Sequence, residues 1–380
     1  MFFAIAGIII AVSCTAISAK VLLGYNNFNR WVKFGGTLLI LVSWFAPFIL
    51  NIIKHLNYFS DHALAIFSNF MYYLFGLAFV LFILIMLRDI LWFLLYGILK
   101  LFKKASERLN PKNEHSLALS NLVVLVLAFF VSFYGVYEAL RVPDIKNITI
   151  ESTKIKKPTK IVFVSDLHIT SSSSLSRLQK IVDLINAQNA DAVVLGGDII
   201  DDKISKITKD LDVLSTIKAP LGVYAIMGNH EFYRGIPSWL IKFSRLKIKT
   251  LINRGVHLGK TGVYLAGVPD KTADFVGLYR LNPKMIAKGS KKTDYLVVAS
   301  HYPDMNMRGL KYDLQVSGHT HGGQIFPFSI LSQKANKYLA GEYQKDGSLL
   351  WVSRGAGYWG PSMRVLAPAD ILVFHLNPKK

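Results

Sequence analysis

The sequence predicts an α-helical transmembrane region followed by an α/β domain. Apolar residues make up 52% of the 380 residues, and the long apolar stretches all lie before Arg141. After Arg141, short apolar runs alternate with segments whose apolar residues recur at helical spacing. This alternation is typical of strands joined by helices in a largely parallel sheet. The chain is long enough for two or three structural units.

Four apolar stretches are long enough to cross a bilayer, which requires about 20 residues. None of them contains more than one charged residue, and they cover residues 2–23, 35–53, 64–87 and 117–140. Leu91–Leu101 follows the third stretch and is interpreted as an interfacial helix or as an extension of that stretch. The alternative, helices buried in a soluble core, is excluded because no polar stripe recurs at 3.6-residue spacing.

The loop charges predict the orientation of these helices. Six Lys or Arg residues lie between Arg88 and His115, whereas the preceding loop contains only Lys54. Arg30 and Lys33 make the first loop positive as well. Because cytoplasmic loops are enriched in positive charge, the first and third loops are expected in the cytoplasm. With four spans, the following domain is expected outside the cytoplasm, in a multipass protein of the plasma or inner membrane.

The start of the chain and its cysteine content restrict the interpretation further. The first apolar stretch has no positively charged segment before it, so we interpret it as a retained helix and not as a cleaved signal. Cys14 is the only cysteine, which excludes a disulfide within the chain. Residues 1–140 are therefore predicted to be the transmembrane region, 141–159 a basic linker, and 160–380 the α/β domain.

Positive charge is concentrated in the second part of the chain. Before Arg141 there are ten Lys or Arg and five acidic residues, and from Arg141 onward there are thirty-four and nineteen. The balances of +5 and +15 add up to the net charge of +20. A basic domain beside an apolar region favours contact with anionic lipid headgroups or with a phosphorylated substrate. Ordinary solvated surface charge is the alternative.

Helical segments are predicted between the apolar runs of the α/β domain. Apolar residues recur at helical spacing in Leu175–Asn186 and in Ile204–Thr216. Pro237–Leu246 is a third such segment, and Lys247–Leu251 is expected to follow it as a strand. The third segment is basic and amphipathic, so it is interpreted as a core helix, with membrane contact as the alternative.

Five apolar runs of this domain each end in side chains that bind metals. The runs are Ile161–Val164, Ala192–Leu195, Val223–Met227, Tyr295–Ser300 and Leu314–Ser317. The side chains that follow them are, in order, Asp166 and His168, Asp198, Asn229 and His230, His301, and His319 and His321. Because ligands bind at the carboxyl ends of strands in open α/β sheets, we expect these groups to converge at one sheet edge.

These blocks resemble the calcineurin-like metallophosphoesterases. Asp-x-His, Gly-Asp-x-x-Asp, Gly-Asn-His-Glu, a lone His and Gly-His-x-His follow one another between Lys160 and Gln324. Gly-His-Thr-His-Gly-Gly-Gln and the later Arg-Gly-x-Gly at 354–357 resemble the membrane-associated branch, and UDP-2,3-diacylglucosamine hydrolases belong to the same superfamily. The resemblance implies a four-layer α-β-β-α sandwich with two central mixed sheets. Leu349–Ser353 and Ile371–Leu376 are interpreted as strands of the second sheet.

The resemblance also implies a centre with two divalent metal ions, in which metal-bound hydroxide attacks phosphorus. By this resemblance Asp198 bridges the two ions. Asp166, His168 and His321 then complete one site, and Asn229, His301 and His319 complete the other. Mixed oxygen and imidazole ligands favour Mn, with Fe, Zn or Mg as alternatives.

Several residues near these blocks are assigned supporting roles. His230 directly follows a ligand, so it is predicted to be catalytic, by stabilising the transition state or protonating the leaving oxygen. Asp201 and Asp202 are interpreted as partners of the ligands or as helix caps. Four glycines are expected to let the backbone approach the metals: Gly228, Gly318, Gly322 and Gly323. Three arginines are candidates for binding substrate phosphate: Arg308, Arg354 and Arg364.

The favoured function is a membrane-anchored phosphoesterase that hydrolyses a lipid-linked phosphodiester or pyrophosphate, because the anchor confines the site to the bilayer surface. The expected partners are membrane lipids and a phosphorylated small molecule, and nucleic acid is not expected. One alternative is a metal-dependent nuclease or nucleotide phosphodiesterase, which the basic domain would favour. The other is a non-catalytic membrane scaffold or sensor of the same fold, which would be expected to lack several ligands.

Overall fold

The computed structural model describes residues 2–24, 28–56, 59–171, 173–207 and 210–379. The chain divides into two compact units. The first unit comprises Met1–Tyr137 and Gly360–Met363, and the second comprises Glu138–Trp359 and Arg364–Lys380. The first unit is helical and the second has an α/β fold.

Four helices contain nearly all of the apolar sequence that precedes the α/β fold. They are α1 (Phe2–Ala19), α2 (Arg30–Leu56), α3 (Asp61–Leu101) and α4 (Glu114–Leu140). Each is long and apolar enough to cross a membrane. Large side chains such as Leu39, Phe70 and Phe130 are exposed on these helices, as expected for surfaces that face lipid.

The third helix is longer than a single membrane span. α3 continues for 41 residues without a break through Arg88 and Asp89. Leu91–Leu101 is therefore an extension of the third helix, which was the second of the two interpretations. Arg88 donates hydrogen bonds to Asp89, to Ser120 and to Asn121, so the charged pair within the helix has polar partners on α4.

Twelve strands form two six-stranded sheets in the second unit. The strands of the first sheet are β1 (Asp144–Ser152), β2 (Thr159–Val164), β3 (Ala192–Gly196), β4 (Gly222–Ile226), β5 (Lys249–Thr250) and β12 (Asp370–Pro378). Those of the second are β6 (Arg254–His257), β7 (Val263–Gly267), β8 (Tyr295–Ala299), β9 (Leu314–Ser317), β10 (Gly341–Lys345) and β11 (Ser348–Val352).

Both sheets have a parallel centre. The order in the first is β1-β12-β2-β3-β4-β5, in which β2 to β5 are parallel and β12 runs antiparallel to β2. The order in the second is β10-β11-β9-β8-β7-β6, with β11 to β7 parallel and both edge strands antiparallel to their neighbours. The carboxyl ends of the parallel strands in each sheet therefore lie at one edge, where ligands bind in α/β folds.

The two sheets pack face to face with helices on their outer faces. Phe163 of β2 shares a buried apolar cluster with Val316 of β9. The next residue in β2, Val164, belongs to another cluster with helix residues Ile181 and Trp239, because successive side chains of a strand point to opposite faces. The flanking helices are α5 (Leu175–Ala187), α6 (Ile204–Ile207), α7 (Asn229–Tyr233), α8 (Ile236–Arg245), α9 (Thr272–Val276), α10 (Pro283–Ala287) and α11 (Phe328–Asn336). The predicted four-layer fold with two mixed sheets is confirmed.

Three expectations about the strands were wrong. The five runs that carry the candidate ligands are divided between both sheets, since β2, β3 and β4 lie in the first and β8 and β9 in the second. The segment 371–376 belongs to the first sheet, where β12 pairs with β1 and β2. Part of the expected linker, Asp144–Ser152, forms the edge strand β1. Only one residue of β1, Ile148, is buried, so the strand lacks the continuous apolar run by which the central strands were found.

The predicted helices lie close to their expected positions. Leu175–Ala187 and Ile236–Arg245 are both helical, within about one residue of the predicted bounds. The predicted helix over 204–216 is instead a short α-helix, Ile204–Ile207, and a 3₁₀ segment, Asp210–Thr216, and residues 208 and 209 lie outside the described chain.

Candidate metal centre

Loops from both sheets bring the predicted site residues together. Asp166 and His168 follow β2, Asp198 follows β3, and Asn229 and His230 begin α7 directly after β4. His301 follows β8, and His319 and His321 follow β9. The candidate groups therefore meet where the carboxyl ends of the central strands of the two sheets lie side by side.

Five of these residues have left-handed backbone conformations. The φ angles are 56° for Asp166, 45° for His168, 48° for Asp198, 74° for His319 and 52° for His321. For a non-glycine residue, the left-handed backbone conformation costs about 1–2 kcal/mol. Hydrogen bonds between the loops offset that cost, such as those from Asp166 N to Gly197 O and from His168 N to Asp198 O, both 3.0 Å. Such strain is concentrated at functional sites.

A first group of donors consists of Asp166, His168 and His321, whose ligand atoms all lie within 4.8 Å of one another. His168 Nε2 and His321 Nε2 are 3.0 Å apart. Burial, His168 and Arg364 hold the pKa of His321 well below its usual range. His321 is thus a neutral imidazole, the form that binds metals. One proton at most lies between the two nitrogens, so at least one lone pair points into the cluster.

A second group consists of Asp198, His301 and His319, again within 4.8 Å of one another. His301 Nδ1 lies 2.9 Å from Gly196 O, and because a carbonyl can only accept, Nδ1 carries a proton. His301 Nε2 then faces Asp198 Oδ2 at 3.2 Å. Asn229 joins this group, since its Oδ1 is 3.1 Å from His319 Nδ1.

Asp198 lies between the two groups. Its Oδ2 atom is 3.2 Å from His301 Nε2 and 3.8 Å from His168 Nε2, so one carboxylate reaches nitrogen atoms of both groups. Its Oδ1 atom accepts a hydrogen bond from His230 N at 2.9 Å. Burial raises the pKa of Asp198, but the neighbouring His301 and His168 lower it by a larger amount. The net pKa is therefore well below its usual range. The central carboxylate is therefore ionised.

The donors fit divalent cations. His168 Nδ1 and His301 Nε2 are buried atoms that have no well-formed hydrogen bond within the described residues. The three acidic or amide side chains supply oxygen ligands and the four histidines supply nitrogen, a mixture that suits Zn, Mn or Fe. The carboxylates around His301 raise its pKa although burial opposes this, so cation binding there would displace a proton.

Comparison with known proteins supports this interpretation. A family model described as calcineurin-like phosphoesterase matches residues 159–323. A protein named "Uncharacterized metallophosphoesterase" from Helicobacter pylori is 39% identical over 257 residues, which are 64% of this chain and 67% of the relative. The chain belongs to the calcineurin-like metallophosphoesterases. It is thus a metal-dependent phosphoesterase.

Two further relatives extend the comparison. A metallophosphoesterase of Campylobacter jejuni is 33% identical over 68% of this chain and 70% of the relative. A Danio rerio protein named "Transmembrane protein with metallophosphoesterase domain" is 26% identical over 66% of this chain and 61% of its own length. Together with the four apolar helices, the transmembrane relative indicates that this phosphoesterase is a membrane protein.

His230 is held beside the two groups by Asp201. Its Nδ1 atom lies 2.6 Å from Asp201 Oδ1, and its Nε2 atom is 3.8 Å from Asp198 Oδ2. Burial lowers the pKa of His230, but the Asp201 hydrogen bond and Asp198 raise it overall. Asp202 lies farther out, where its carboxylate accepts hydrogen bonds from Ser171.

Glu231 is a part of the site whose role the sequence did not indicate. The side chain is fully buried, and its two oxygens accept four backbone N–H groups, from Gly228, Asp198, Ile199 and Ile200. Burial and Asp198 raise its pKa to about 7. Glu231 thereby joins the loop after β3 to the loop after β4. Its position in Gly-Asn-His-Glu is evident from the sequence, but the backbone N–H donors that it meets come together only in the folded chain.

Arg364 also has a role other than the predicted one. Its side chain is fully buried, and it donates to the carbonyl oxygens of His321, Arg354, Gly355, Gly357 and Ala367. Arg364 is therefore excluded from the three candidates for binding substrate phosphate, because its guanidinium is buried against backbone carbonyls and the His321 ring. Arg308 is exposed and pairs with Asp274 at 3.3 Å, and Arg354 lies 3.5 Å from Asp370.

Glycines allow the loops to approach the candidate ligands. A Cβ atom on Gly228 would lie 2.2 Å from Asp198 Oδ1, and one on Gly318 would lie 2.4 Å from Asp166 Oδ2. Gly355 is equally restricted, since its φ is +75° and a Cβ atom there would lie 2.6 Å from Asp166 Cβ. The Arg-Gly-x-Gly segment therefore packs against the first metal loop.

Proposed function

We propose that this membrane protein is a dinuclear-metal phosphoesterase that hydrolyses a lipid-linked phosphodiester or pyrophosphate. The position of Asp198 is the observation that supports this most strongly. Its carboxylate lies within 3.8 Å of nitrogen atoms in both donor groups, as expected for a bridge between two ions. We assign Asp166, His168, Asp198 and His321 to one ion, and Asp198, Asn229, His301 and His319 to the other.

The bound cations would neutralise phosphate charge and activate water, which are the contributions of divalent metals in such sites. The ligand set favours Mn, with Fe, Zn and Mg as alternatives. The residues of this chain hold the donors in place. Glu231 orients the Asp198 loop through backbone hydrogen bonds, and Arg364 orients the His321 loop.

We assign His230 to protonating the leaving oxygen or stabilising charge that develops on it. Asp201 accepts from Nδ1 at 2.6 Å, which directs Nε2 toward the donor cluster. The same contact favours the protonated imidazole, because the carboxylate compensates its charge. His230 is thus suited to donate a proton in the step that breaks the phosphoester bond.

Aromatic side chains beside His230 support a leaving group with apolar character. The rings of Tyr233 and Trp359 lie 5.8 and 6.1 Å from the His230 ring, and both are more than half exposed. The backbone of Trp359 is held by Gln324, whose side-chain amide makes two hydrogen bonds of 2.9 Å to it. An exposed aromatic ring held in place next to the proton donor is suited to contact a lipid moiety.

Asp198→Asn tests the two-metal assignment. The variant should lose at least about 100-fold in Mn-dependent hydrolysis of an aryl phosphodiester, because stabilisation by the metals is worth several kcal/mol. It should also bind fewer Mn ions per chain by equilibrium dialysis. Asp183→Asn is the matched control, since Asp183 is exposed on α5 and bonds only Gln179 among the described contacts. A folded Asp198→Asn protein with full activity would reject the assignment.

The substrate requires a separate test. Full-length protein in detergent should be assayed on diacylated sugar nucleotides, phospholipids, cyclic nucleotides and DNA under identical conditions. Preference for substrates with acyl chains is expected. Preference for DNA, with strong inhibition by salt, would instead support the nuclease alternative.

A further inference from the structure

The segment 271–285, which we call the lip, carries exposed apolar side chains. It contains α9, the residues that follow α9, and the first three residues of α10. Phe275 is 85% exposed, and four more large apolar side chains of the lip are exposed as well: Val276, Leu278, Tyr279 and Met285. Exposed apolar side chains that cluster in one short segment indicate an interaction surface.

The lip is a folded feature and not a loose loop. Its buried residues Ala273 and Leu281 anchor it to the second unit. The Asn253 side chain donates to Arg280 O at 2.7 Å and accepts from Asn282 N at 2.8 Å. The structure therefore presents the apolar side chains to the outside while the base of the lip is fixed.

The charges of the lip are mainly positive. Lys271, Arg280 and Lys284 are exposed, and the single acidic residue of the segment, Asp274, pairs with Arg308 at 3.3 Å. Phe and Leu side chains next to Lys and Arg are the combination that binds the interface of anionic membranes. Each basic residue close to an anionic membrane surface contributes about 1 kcal/mol to the binding free energy.

The lip begins beside the candidate metal centre. Lys271 Nζ lies 4.9 Å from the centroid of the Tyr302 ring, and that ring lies 4.9 Å from the ring of His319. A surface that binds the lip would therefore also lie close to the metal ligands.

We infer that the lip docks the catalytic unit directly on an anionic lipid bilayer. Its apolar side chains enter the region between headgroups and acyl chains, and its basic side chains contact the headgroups. A second copy of the chain fits less well, because a symmetric contact would bring two positive lips together. This docking goes beyond the proposed reaction and does not depend on which phosphoester is cleaved.

A fluorescent label at Phe275 tests the docking. Because Cys14 is the only cysteine, a Cys14→Ala, Phe275→Cys protein carries a single label of an environment-sensitive dye. In the full-length protein reconstituted in phosphatidylcholine vesicles with phosphatidylserine, its emission should shift to the blue. Lipids brominated on their acyl chains should quench it. The control is Lys260→Cys, an exposed residue in the turn before β7, at the opposite end of the strands from the metal centre.

Charge dependence separates lipid binding from other causes of a blue shift. Arg280→Gln and Lys284→Gln should each reduce the equilibrium constant for docking about fivefold. The phosphatidylserine content that gives half of the emission shift measures this change. Emission at Phe275→Cys that equals the Lys260→Cys control would overturn the inference. A blue shift that brominated lipids do not quench, or that depends on the protein-to-lipid ratio, would identify a second copy as the partner and also overturn it.

Discussion

Glu231 shows how one buried side chain organises a metal centre without belonging to the proposed ligand set. Both of its oxygens accept backbone N–H groups, two of them from Ile199 and Ile200 beyond the proposed bridging residue Asp198. Replacing either oxygen by an NH₂ group would place a side-chain N–H donor opposite the backbone N–H donors. An unsatisfied buried donor costs about 1–3 kcal/mol.

Glu231→Gln should therefore lower the free energy of unfolding of the catalytic unit by about 1–3 kcal/mol. It should also weaken Mn binding about 10–100-fold, as loss of a group that orients a metal ligand usually does. Denaturant unfolding and calorimetric titration with Mn measure the two effects. Glu151→Gln on the exposed side of β1 is the matched control. Unchanged Mn affinity in a folded Glu231→Gln protein would contradict the orienting role.

At the residue scale, the sequence predicted the candidate ligands but not the groups that hold them. Asp166 and His168 are two residues apart on one loop, so their proximity is a local property of the chain. Glu231 and Arg364 act through backbone atoms of other loops. Such contacts depend on the tertiary fold, and the residue types alone do not indicate them.

At the scale of elements, the segment Arg354–Gly357 is held in place by Arg364. The guanidinium donates to three carbonyls of this segment and to those of His321 and Ala367. Burial lowers the pKa of Arg364 to about 10, so it remains charged at neutral pH. A lysine ammonium cannot replace the planar fork at all of these acceptors.

Arg364→Lys should reduce the free energy of unfolding by about 3 kcal/mol, because several buried carbonyls lose their donor. Thermal denaturation monitored by near-UV circular dichroism measures the change. Arg245→Lys at the exposed end of α8 should leave the midpoint unchanged. Equal midpoints for the two variants would show that the carbonyls find other donors, and that Arg364 is dispensable.

The hairpin of β10 and β11 contains a buried lysine that titrates near the physiological range. Lys345 Nζ donates to Pro303 O, Met305 O and Gln315 Oε1 at 2.9, 2.7 and 3.1 Å. Burial lowers its pKa to about 8 from a model-compound value of 10.5. The unfolded chain thus binds more protons than the folded chain between these two values, and stability must rise with pH there.

The free energy of unfolding should increase by about 2 kcal/mol between pH 7 and pH 10 because of Lys345. Below pH 8 both states are protonated, so the contribution is lost there. Denaturant titrations at several pH values, compared with Lys345→Met, isolate this group from others that titrate. The variant is expected to be less stable overall but to lack this rise. Parallel pH profiles for the two proteins would contradict the low pKa.

At the scale of the whole molecule, the four apolar helices and the charges between them predict an orientation. Arg30 and Lys33 at the start of α2, and the six basic residues from Arg88 to Lys112, favour the cytoplasmic side for these two connections. An even number of spans returns the chain to the side on which it began. The catalytic unit is then expected on the side away from the cytoplasm.

Protease added to intact cells or spheroplasts should degrade the catalytic unit if this orientation is right. A cytoplasmic protein of similar protease sensitivity, detected in the same samples, should stay intact until the membrane is broken. Protection of the catalytic unit up to lysis would reverse the predicted orientation, and with it the side on which the substrate is expected.

The apolar helices, most of the central strands and the candidate ligand set could be predicted from local sequence. Each of these is encoded locally, in run length, in periodicity or in spacing along one loop. The edge strands β1, β6 and β10 were not predicted, because a half-exposed strand lacks a continuous apolar run. The buried strand β7 was also missed. The division of the ligand-bearing strands between two sheets was likewise missed.

How those local signals combine depends on the tertiary fold. It brought loops of two sheets to one edge, assigned β12 to the first sheet, and turned Arg364 from a candidate phosphate ligand into a buried support of the His321 loop. It also placed Asp198 between both donor groups. Strand pairing and burial join residues far apart in the chain, and no local pattern specifies such contacts.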